Sequence, residues 1–405
     1  MKKLIFLLLI FSCIFYSINA MQPDNKIYRI ISKKAEINKI LKIGKFEVVV
    51  QVGENEINRF TMHRVVKLDK HYMPVRSSLL KGALILMPGG GSNFDMYLLG
   101  KDGESIATYL ALKNIDVYGY SPRTKGIKYG YFDNNDSSEM KSWGINTYLD
   151  DLDYILNKVM KRHKKRPVVG GMSLGAILSI AAVDRRPYSY EGAIIWEGTL
   201  YYDSPVQELF EERVQYLDYL LQNGQYYDYE SYTLIKTLVS LQHYYPDIQS
   251  PFEPSLTNRE YFTLFATSPV DPPLGEAPGY TYAAGDLING FYYADMDLLL
   301  DFANQINDYE PNALIRDISG GFAGERTFTG NLDLFTGKVL SIQAGLGFGS
   351  HAEDNLQLFT NANIERYIKP EYGHGDMLVP KNYIEIICEP IWEWLENNII
   401  PNWDR

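Results

Sequence analysis

Several features that define whole classes of protein are scarce in this sequence. Only two of the 405 residues are cysteine, which is too few for a disulfide-stapled scaffold. The 39 Lys and Arg residues are outnumbered by 50 Asp and Glu, which gives a formal net charge of −11. A general nucleic-acid-binding protein needs a basic surface, so this class is excluded. No long apolar run occurs after the N-terminus, which excludes a multi-span membrane protein.

Histidine is also scarce, and its spacing argues against a metal site. No two of the six histidines are spaced as in His-Glu-x-x-His, and no cysteines stand close enough to pair as zinc ligands. A catalytic zinc ion is therefore not expected, and the sequence indicates no other metal or cofactor.

The composition that is present is that of a folded globular protein, with 46% hydrophobic and 22% charged residues. A chain of this length can bury a large core. Cys388 stands in an apolar run and is predicted to be a buried core thiol.

Residues 1–20 have the pattern of a secretory signal peptide. An N-terminal lysine pair is followed by an apolar run to residue 17, and Ala20 closes a small-residue cleavage site. The sequence therefore predicts a secreted or extracytoplasmic protein, cut after Ala20, with an uncleaved N-terminal anchor as the alternative. Lipid attachment at Cys13 is disfavoured, because the bulky Phe11 stands where small residues are usual.

Strand-like apolar segments alternate with helical ones along much of the chain. The predicted strands are residues 44–52, 83–87, 115–120, 167–170, 193–196, 339–343 and 364–368. The predicted helices are residues 105–112, 143–163, 174–183 and 383–397. Such alternation is typical of an α/β fold, in which a mostly parallel sheet has helices on both faces.

Between residues 201 and 335 the alternation stops. Helical patterns occur there at about 205–223, 229–243, 258–266 and 292–306. The simplest organisation is one α/β domain, residues 21–200 and 336–405, with a helical insertion at 201–335. The insertion is rich in Tyr and Phe. At least half of these rings are expected to pack its own core, and the others to line a pocket for an apolar or aromatic substrate group.

Residues 171–175 read Gly-Met-Ser-Leu-Gly and carry the strongest chemical signal in the sequence. They follow a predicted strand directly and lead into a predicted helix. In that context the G-x-S-x-G pattern places Ser173 on a tight turn, with glycines where a side chain would collide with the neighbouring strand and helix. Ser173 is the candidate nucleophile, and a Gly-rich turn with a bystander serine is the alternative.

A run of three glycines, residues 89–91, follows the predicted strand 83–87. Backbone N–H groups in such a loop can approach and stabilise a developing negative oxygen. Gly90, Gly91 and Leu174 are therefore candidate oxyanion-hole donors. The alternative, a phosphate-binding loop, lacks both the Gly-Lys-Ser/Thr and the G-x-G-x-x-G pattern.

His374 stands in a Gly-His-Gly segment between the last predicted strand and the last predicted helix. A histidine in such a loop can reach Ser173 and accept its proton, which makes His374 the candidate general base. The alternative is a surface histidine without a chemical role.

With these three motifs in this order, residues 40–200 and 336–405 resemble the α/β-hydrolase family. The resemblance implies an eight-stranded, mostly parallel sheet with a Ser–acid–His triad at the carboxyl ends of its strands. It also identifies residues 201–335 as a helical cap inserted after the sixth strand.

The acid is where the sequence departs from the family pattern. The usual acid lies shortly after the strand predicted here at 339–343, often as Gly-x-x-Asp, but that spacing gives Phe348. The next carboxylates belong to Glu353 and Asp354. We predict that Asp354 orients the histidine, with Glu353 as the alternative.

Two other carboxylates stand where the same role can be considered for them. Glu197 ends the preceding core strand and is a further candidate, because some lipases place their acid there. Asp376 is too close to His374 in sequence and is interpreted as a cap of the last helix.

The resemblance implies a serine hydrolase that cleaves small-molecule carboxylic esters through an acyl-enzyme, without a cofactor. A secreted peptidase, an amidase or an acyltransferase would use the same triad. A non-catalytic binding protein on a hydrolase scaffold is the alternative from another class. No nucleic-acid partner is expected, and contact with a membrane surface is left open.

Overall fold

The computed structural model describes residues 26–100, 104–203, 206–270, 279–283, 285–287 and 289–403. The predicted signal peptide, residues 1–20, lies outside these ranges. Within them, every helix is too short or too polar to cross a membrane.

One nine-stranded sheet forms the centre of the molecule, and its strands are numbered here in chain order. They are β1 (Tyr28–Asn38), β2 (Ile43–Val52), β3 (Arg59–Lys67), β4 (Gly82–Met87), β5 (Ile115–Ser121), β6 (Val168–Met172), β7 (Gly192–Trp196), β8 (Lys338–Ala344) and β9 (Asn363–Lys369). The order across the sheet is 1-2-3-5-4-6-7-8-9. β1, β2, β3 and β5 pair antiparallel, and the remaining pairs are parallel.

The sheet is mostly parallel as predicted, but it has nine strands instead of eight. The edge strand β1 escaped sequence analysis because most of its side chains are exposed and show no apolar alternation. β3 is largely buried yet contains Arg64, whose guanidinium pairs with Asp116 of β5 (Nε–Oδ1 2.7 Å). A charged residue in the middle of a strand interrupts the apolar run that identifies a buried strand, so β3 was not predicted.

Helices cover both faces of the sheet. Those of the core are α1 (Ile106–Leu112), α2 (Ile145–His163), α3 (Leu174–Arg185) and, after the insertion, α9 (Ala352–Leu356). A C-terminal helical run has the segments Ile384–Cys388, Glu389–Trp394, Leu395–Ile399 and Ile400–Trp403, of which the first and third are π-helical.

Two apolar layers result from the alternation of side chains along the central strands. Leu84 and Leu86 of β4 pack towards α1 and the C-terminal run, whereas Ile85 and Met87 pack towards α2 and α3. Cys388 is fully buried in the first layer, which confirms its prediction as a core thiol.

The insertion lies between β7 and β8 and is called the cap. It follows the seventh of the nine strands, because β1 adds one strand ahead of the predicted eight. Its helices are α4 (Val206–Gln222), α5 (Glu230–Tyr244), α6 (Asn258–Ala266), α7 (Met296–Ala303) and α8 (Asn312–Phe322).

Helix α8 was not predicted, because it contains two consecutive glycines that disfavour a helix. A Cβ at Gly321 would lie 2.5 Å from the carbonyl oxygen of Leu200. Glycine at this position therefore allows the cap helix to approach the core chain closely.

Candidate active site

Ser173 occupies the turn between β6 and α3 in a conformation that residues other than glycine rarely adopt. Its φ and ψ angles are 58° and −122°, and its N–H donates to the carbonyl of Trp196 in β7 (2.9 Å). A Cβ at Gly171 or Gly175 would lie 2.2 or 2.0 Å from the carbonyl oxygen of Met87 in β4. The local structure is therefore the tight strand-to-helix turn that the motif predicts, and close packing holds its strained serine.

His374 lies in the loop after β9 and forms a hydrogen bond through Nδ1 with Glu197 Oε2 (2.9 Å). Glu197 follows β7 directly, has a positive φ of 52° and is fully buried. Its carboxylate also accepts from the N–H groups of Ala344 (2.6 Å) and Phe348 (3.2 Å). Three donors compensate the buried charge of this carboxylate. The carboxylate in turn fixes the imidazole and leaves Nε2 as the remaining ring nitrogen.

The prediction that Asp354 orients the histidine is wrong. Asp354 lies in α9, where its Oδ2 accepts a hydrogen bond from the N–H of Asp203 (3.1 Å). The alternative acid, Glu353, forms a bidentate pair with Arg366 at the surface (2.6 and 2.9 Å). Both carboxylates therefore point to other partners, because the loop after β8 turns into α9 before they are reached.

Glu197, the remaining candidate, is the acid that the structure brings to the histidine. Its sequence signal was a lone carboxylate directly after an apolar strand. Trp196, the residue before it, lies opposite Met172 in β6 and Ile342 in β8. Because parallel strands in register end at one edge of a sheet, Glu197 and Ser173 emerge side by side.

Two of the three predicted oxyanion donors are available. Leu174 is the first residue of α3, so its N–H has no acceptor within the helix. The N–H of Gly90 has no acceptor in the described part of the chain. Gly91 is a wrong prediction: its backbone, at a φ of +60°, turns its N–H towards the cap, where it donates to Glu310 Oε2 (2.9 Å).

Known proteins have the same arrangement of sheet and helices as the one that carries these residues. A family model described as serine aminopeptidase, S33, matches residues 80–242, which is less than half of the chain. A candidate lipase from Sulfolobus solfataricus superimposes with a TM-score of 0.65 at 16% identity, over 91% of this chain and 98% of that chain. The chain has the α/β-hydrolase fold.

Two further solved structures align with this α/β-hydrolase chain over most of their length. A thermophilic esterase from Thermogutta terrifontis has a TM-score of 0.47 at 13% identity and covers 86% of this chain and 98% of its own. A monoacylglycerol lipase from Paleococcus ferrophilus has a TM-score of 0.47 at 14% identity, with 78% and 94% covered. No curated protein sequence matches the chain. At these identities the likeness concerns the fold alone.

The space beside Ser173 is almost filled. A cavity of about 10 Å³ adjoins the serine, which is near the lower limit for one water molecule. Its walls include Tyr202 and Phe322 of the cap and Phe348 of the loop after β8. The ring of Phe322 packs against Tyr202 and Phe210, with centroids 4.8 and 5.0 Å apart. A substrate therefore enters this cavity only when at least one of these rings moves.

One cluster away from this site has the side chains of a metal centre. Ligand atoms of Glu47, His63 and Asp95 lie within 4.8 Å of one another, beside a cavity of about 230 Å³. Asp95 is paired with Lys125 (Oδ2–Nζ 2.7 Å), and Lys34 also lines the cavity. Burial, together with these two ammonium groups, lowers the pKa of His63 well below its usual value. The same positive charges oppose a bound cation, so we assign no metal to the cluster.

Asp376 ties the histidine loop to the cap. Its Oδ2 accepts hydrogen bonds from the N–H groups of Gly373 and of Ala283 in the cap (2.8 Å each). The C-terminal helical run begins only at Ile384, so the predicted role of Asp376 as its cap is wrong. Burial raises the pKa of Asp376 to about 6.

The raised pKa of Asp376 predicts a pH-dependent stability. An acid whose pKa rises on folding stabilises the folded state below its unfolded pKa, and that contribution is lost as the pH rises through about 6. Asp376→Asn keeps an acceptor oxygen but does not ionise. Between pH 4 and pH 7 we expect the parent to lose on the order of 2–3 kcal/mol of unfolding free energy relative to this variant, measured by urea titration.

Asp301→Asn, the same chemical change at an exposed carboxylate of α7, is the matched control and should follow the parent over the same pH range. If the unfolding free energies of the parent and of Asp376→Asn changed in parallel with pH, the raised pKa of Asp376 would be contradicted.

Proposed function

We propose that this chain is a serine hydrolase that cleaves carboxylic esters, acting outside the cytoplasm as its N-terminal sequence predicts. The observation that carries the proposal is the hydrogen bond between His374 Nδ1 and Glu197 Oε2 (2.9 Å), at the sheet edge where Ser173 stands in its strained turn. A buried carboxylate, an imidazole oriented by it and a serine at the carboxyl end of a neighbouring strand are the three parts that acyl transfer requires.

Acylation begins with proton transfer from Ser173 Oγ to His374 Nε2. The two described side chains form no hydrogen bond with each other, so one of them must shift when substrate binds. The serine oxygen then bonds to the ester carbonyl carbon. When the tetrahedral intermediate collapses, the bond to the alcohol oxygen breaks, and the imidazolium gives its proton to that leaving oxygen.

The negative oxygen of the intermediate is stabilised by backbone N–H groups. Leu174 and Gly90 supply them, because neither N–H is committed to another acceptor in the described residues. Water then attacks the acyl-enzyme, with His374 accepting its proton and returning one to Ser173. Glu197 stabilises the imidazolium in both half-reactions without taking the proton itself.

The lining of the cavity beside Ser173 supports an apolar acyl group as substrate. It includes Ile177 and the rings of Tyr202, Phe322 and Phe348, which must move before an acyl group of any length fits. In a filled apolar pocket, each methylene added to the acyl chain is expected to weaken binding of the transition state by about 1–3 kcal/mol.

A peptidase or amidase is the second candidate, because the family model that matches residues 80–242 is described as a serine aminopeptidase. The same catalytic groups would serve both reactions, although an ester has the easier leaving group. Comparing turnover of acyl esters with that of amino-acyl amides, at equal enzyme concentration, separates the two candidates.

Covalent labelling tests the hydrolase proposal directly. A fluorophosphonate probe bonds to a serine whose oxygen is activated by a neighbouring base. We expect stoichiometric labelling of the parent protein and none of Ser173→Ala, as read by intact-protein mass spectrometry. A folded parent that stays unlabelled would favour the non-catalytic binding protein instead.

The identity of the acid is tested by two substitutions with the same chemical change. Glu197→Gln removes the charge that stabilises the imidazolium and should lower kcat for an ester by about 10³–10⁴-fold. Asp354→Asn, at a carboxylate that accepts a hydrogen bond from the backbone N–H of Asp203, should stay within about twofold of the parent. The opposite ranking of the two variants would contradict the proposed triad.

A further inference from the structure

A stretch of the cap, residues 305–310, lies across the glycine loop that follows β4. Asn307 makes most of the contacts: its backbone N–H donates to the carbonyl of Gly91, and its side-chain Nδ2 donates to the carbonyl of Ser92 (2.9 Å). Asn307 is only 6% exposed. Hydrogen bonds at such a buried position are costly to lose, because the groups left behind cannot turn to water.

Further hydrogen bonds join the same two segments of the chain. Asn93 Nδ2 donates to the carbonyl of Gln305 (2.8 Å), and the N–H of Gly91 donates to Glu310 Oε2 (2.9 Å). The cap therefore holds both the N–H and the carbonyl of Gly91 and reaches the residues on its C-terminal side. The three glycines have no side chains to pack, so hydrogen bonds such as these are needed to restrict the loop.

The contacts of Asn307 are connected to the Gly90 N–H, the proposed oxyanion donor, through the peptide group between Gly89 and Gly90. The N–H of Gly90 belongs to the same planar trans peptide as the carbonyl of Gly89, and the two groups point in opposite directions. The Gly89 carbonyl accepts from Ser92 N–H (3.1 Å) and from Ser92 Oγ (2.7 Å). Asn307 holds the carbonyl of Ser92 in turn, so the cap is linked to the peptide that carries the Gly90 N–H through Ser92.

We propose that Asn307 is a positioning residue for the oxyanion hole, and that the cap is part of the catalytic apparatus as well as its cover. The proposal rests on the serine-hydrolase function proposed above. In this role Asn307, which is more than 200 positions from Gly90 in sequence, orients the Gly90 N–H towards the substrate oxygen that becomes negative. A residue in this role stabilises the transition state more than the bound substrate.

The test uses Asn307→Ala in the full chain, with steady-state kinetics on a short-chain ester and inhibition by a trifluoromethyl ketone. Such a ketone bonds to the serine and places a negative oxygen in the hole. We expect kcat to fall by about 10–100-fold, KM to stay within about twofold, and the inhibition constant to rise in parallel with the loss in kcat.

Asp308→Asn is the matched control in the same stretch. Among the described residues, Asp308 bonds to Lys236 (2.7 Å) and to the N–H of Tyr129 (3.0 Å) and forms no hydrogen bond with the glycine loop, so kcat should be unchanged. If Asn307→Ala does not fold, Ser92→Ala carries the test. It removes the hydroxyl contacts with the Gly89 carbonyl (2.7 Å) and with Met96 Sδ (3.1 Å). It should give a smaller loss in kcat, about three- to tenfold, with weaker ketone inhibition.

Two results would overturn the positioning role: an unchanged kcat, or a fall in kcat while the ketone binds as before. Fluorophosphonate labelling of the parent separates this failure from failure of the hydrolase proposal. A parent that labels at Ser173 while the Asn307→Ala and Ser92→Ala variants keep full kcat disproves the positioning role alone.

Discussion

The hydrogen bond between Glu197 and His374 is the interaction on which the site depends. It joins the end of β7 to the loop after β9, across β8, at a distance of 2.9 Å. A fully buried carboxylate is tolerated only when donors surround it, and here they come from β8, the loop after it and the histidine loop. Removing one of these donors would leave the buried carboxylate with less compensation, so the Glu197 side chain ties three segments of the chain together.

The second constraint is the attachment of the cap. Its residues bond to the glycine loop through Asn307 and to the histidine loop through Ala283. A cap held at both loops cannot swing away as a rigid lid without disturbing the catalytic groups. The small volume beside Ser173 is consequently more simply enlarged by rotation of the rings that line it, such as Phe322 and Phe348, than by removal of the whole cap.

The parts of the site that follow from local sequence were predictable, and those that depend on distant contacts were not. The turn at Ser173 needs two glycines four positions apart, and both are visible in the sequence. The acid was assigned by spacing after β8, whereas Glu197 reaches His374 because β7 and β8 run in register. The N–H of Gly91 is taken by Glu310, 219 positions away, which no local pattern indicates. In the fold, strands with continuous apolar runs were found, and the exposed edge strand β1 was missed because it lacks one.

The most direct test of the site is a crystal structure of the parent protein with a phosphonate bonded to Ser173. The phosphonyl oxygen stands in for the negative oxygen of the acyl-transfer intermediate. We expect it to lie about 2.7–3.1 Å from the N–H groups of Gly90 and Leu174, with His374 Nδ1 still bonded to Glu197. A phosphonyl oxygen that points away from both N–H groups, or a histidine turned towards Asp354, would contradict the proposed mechanism.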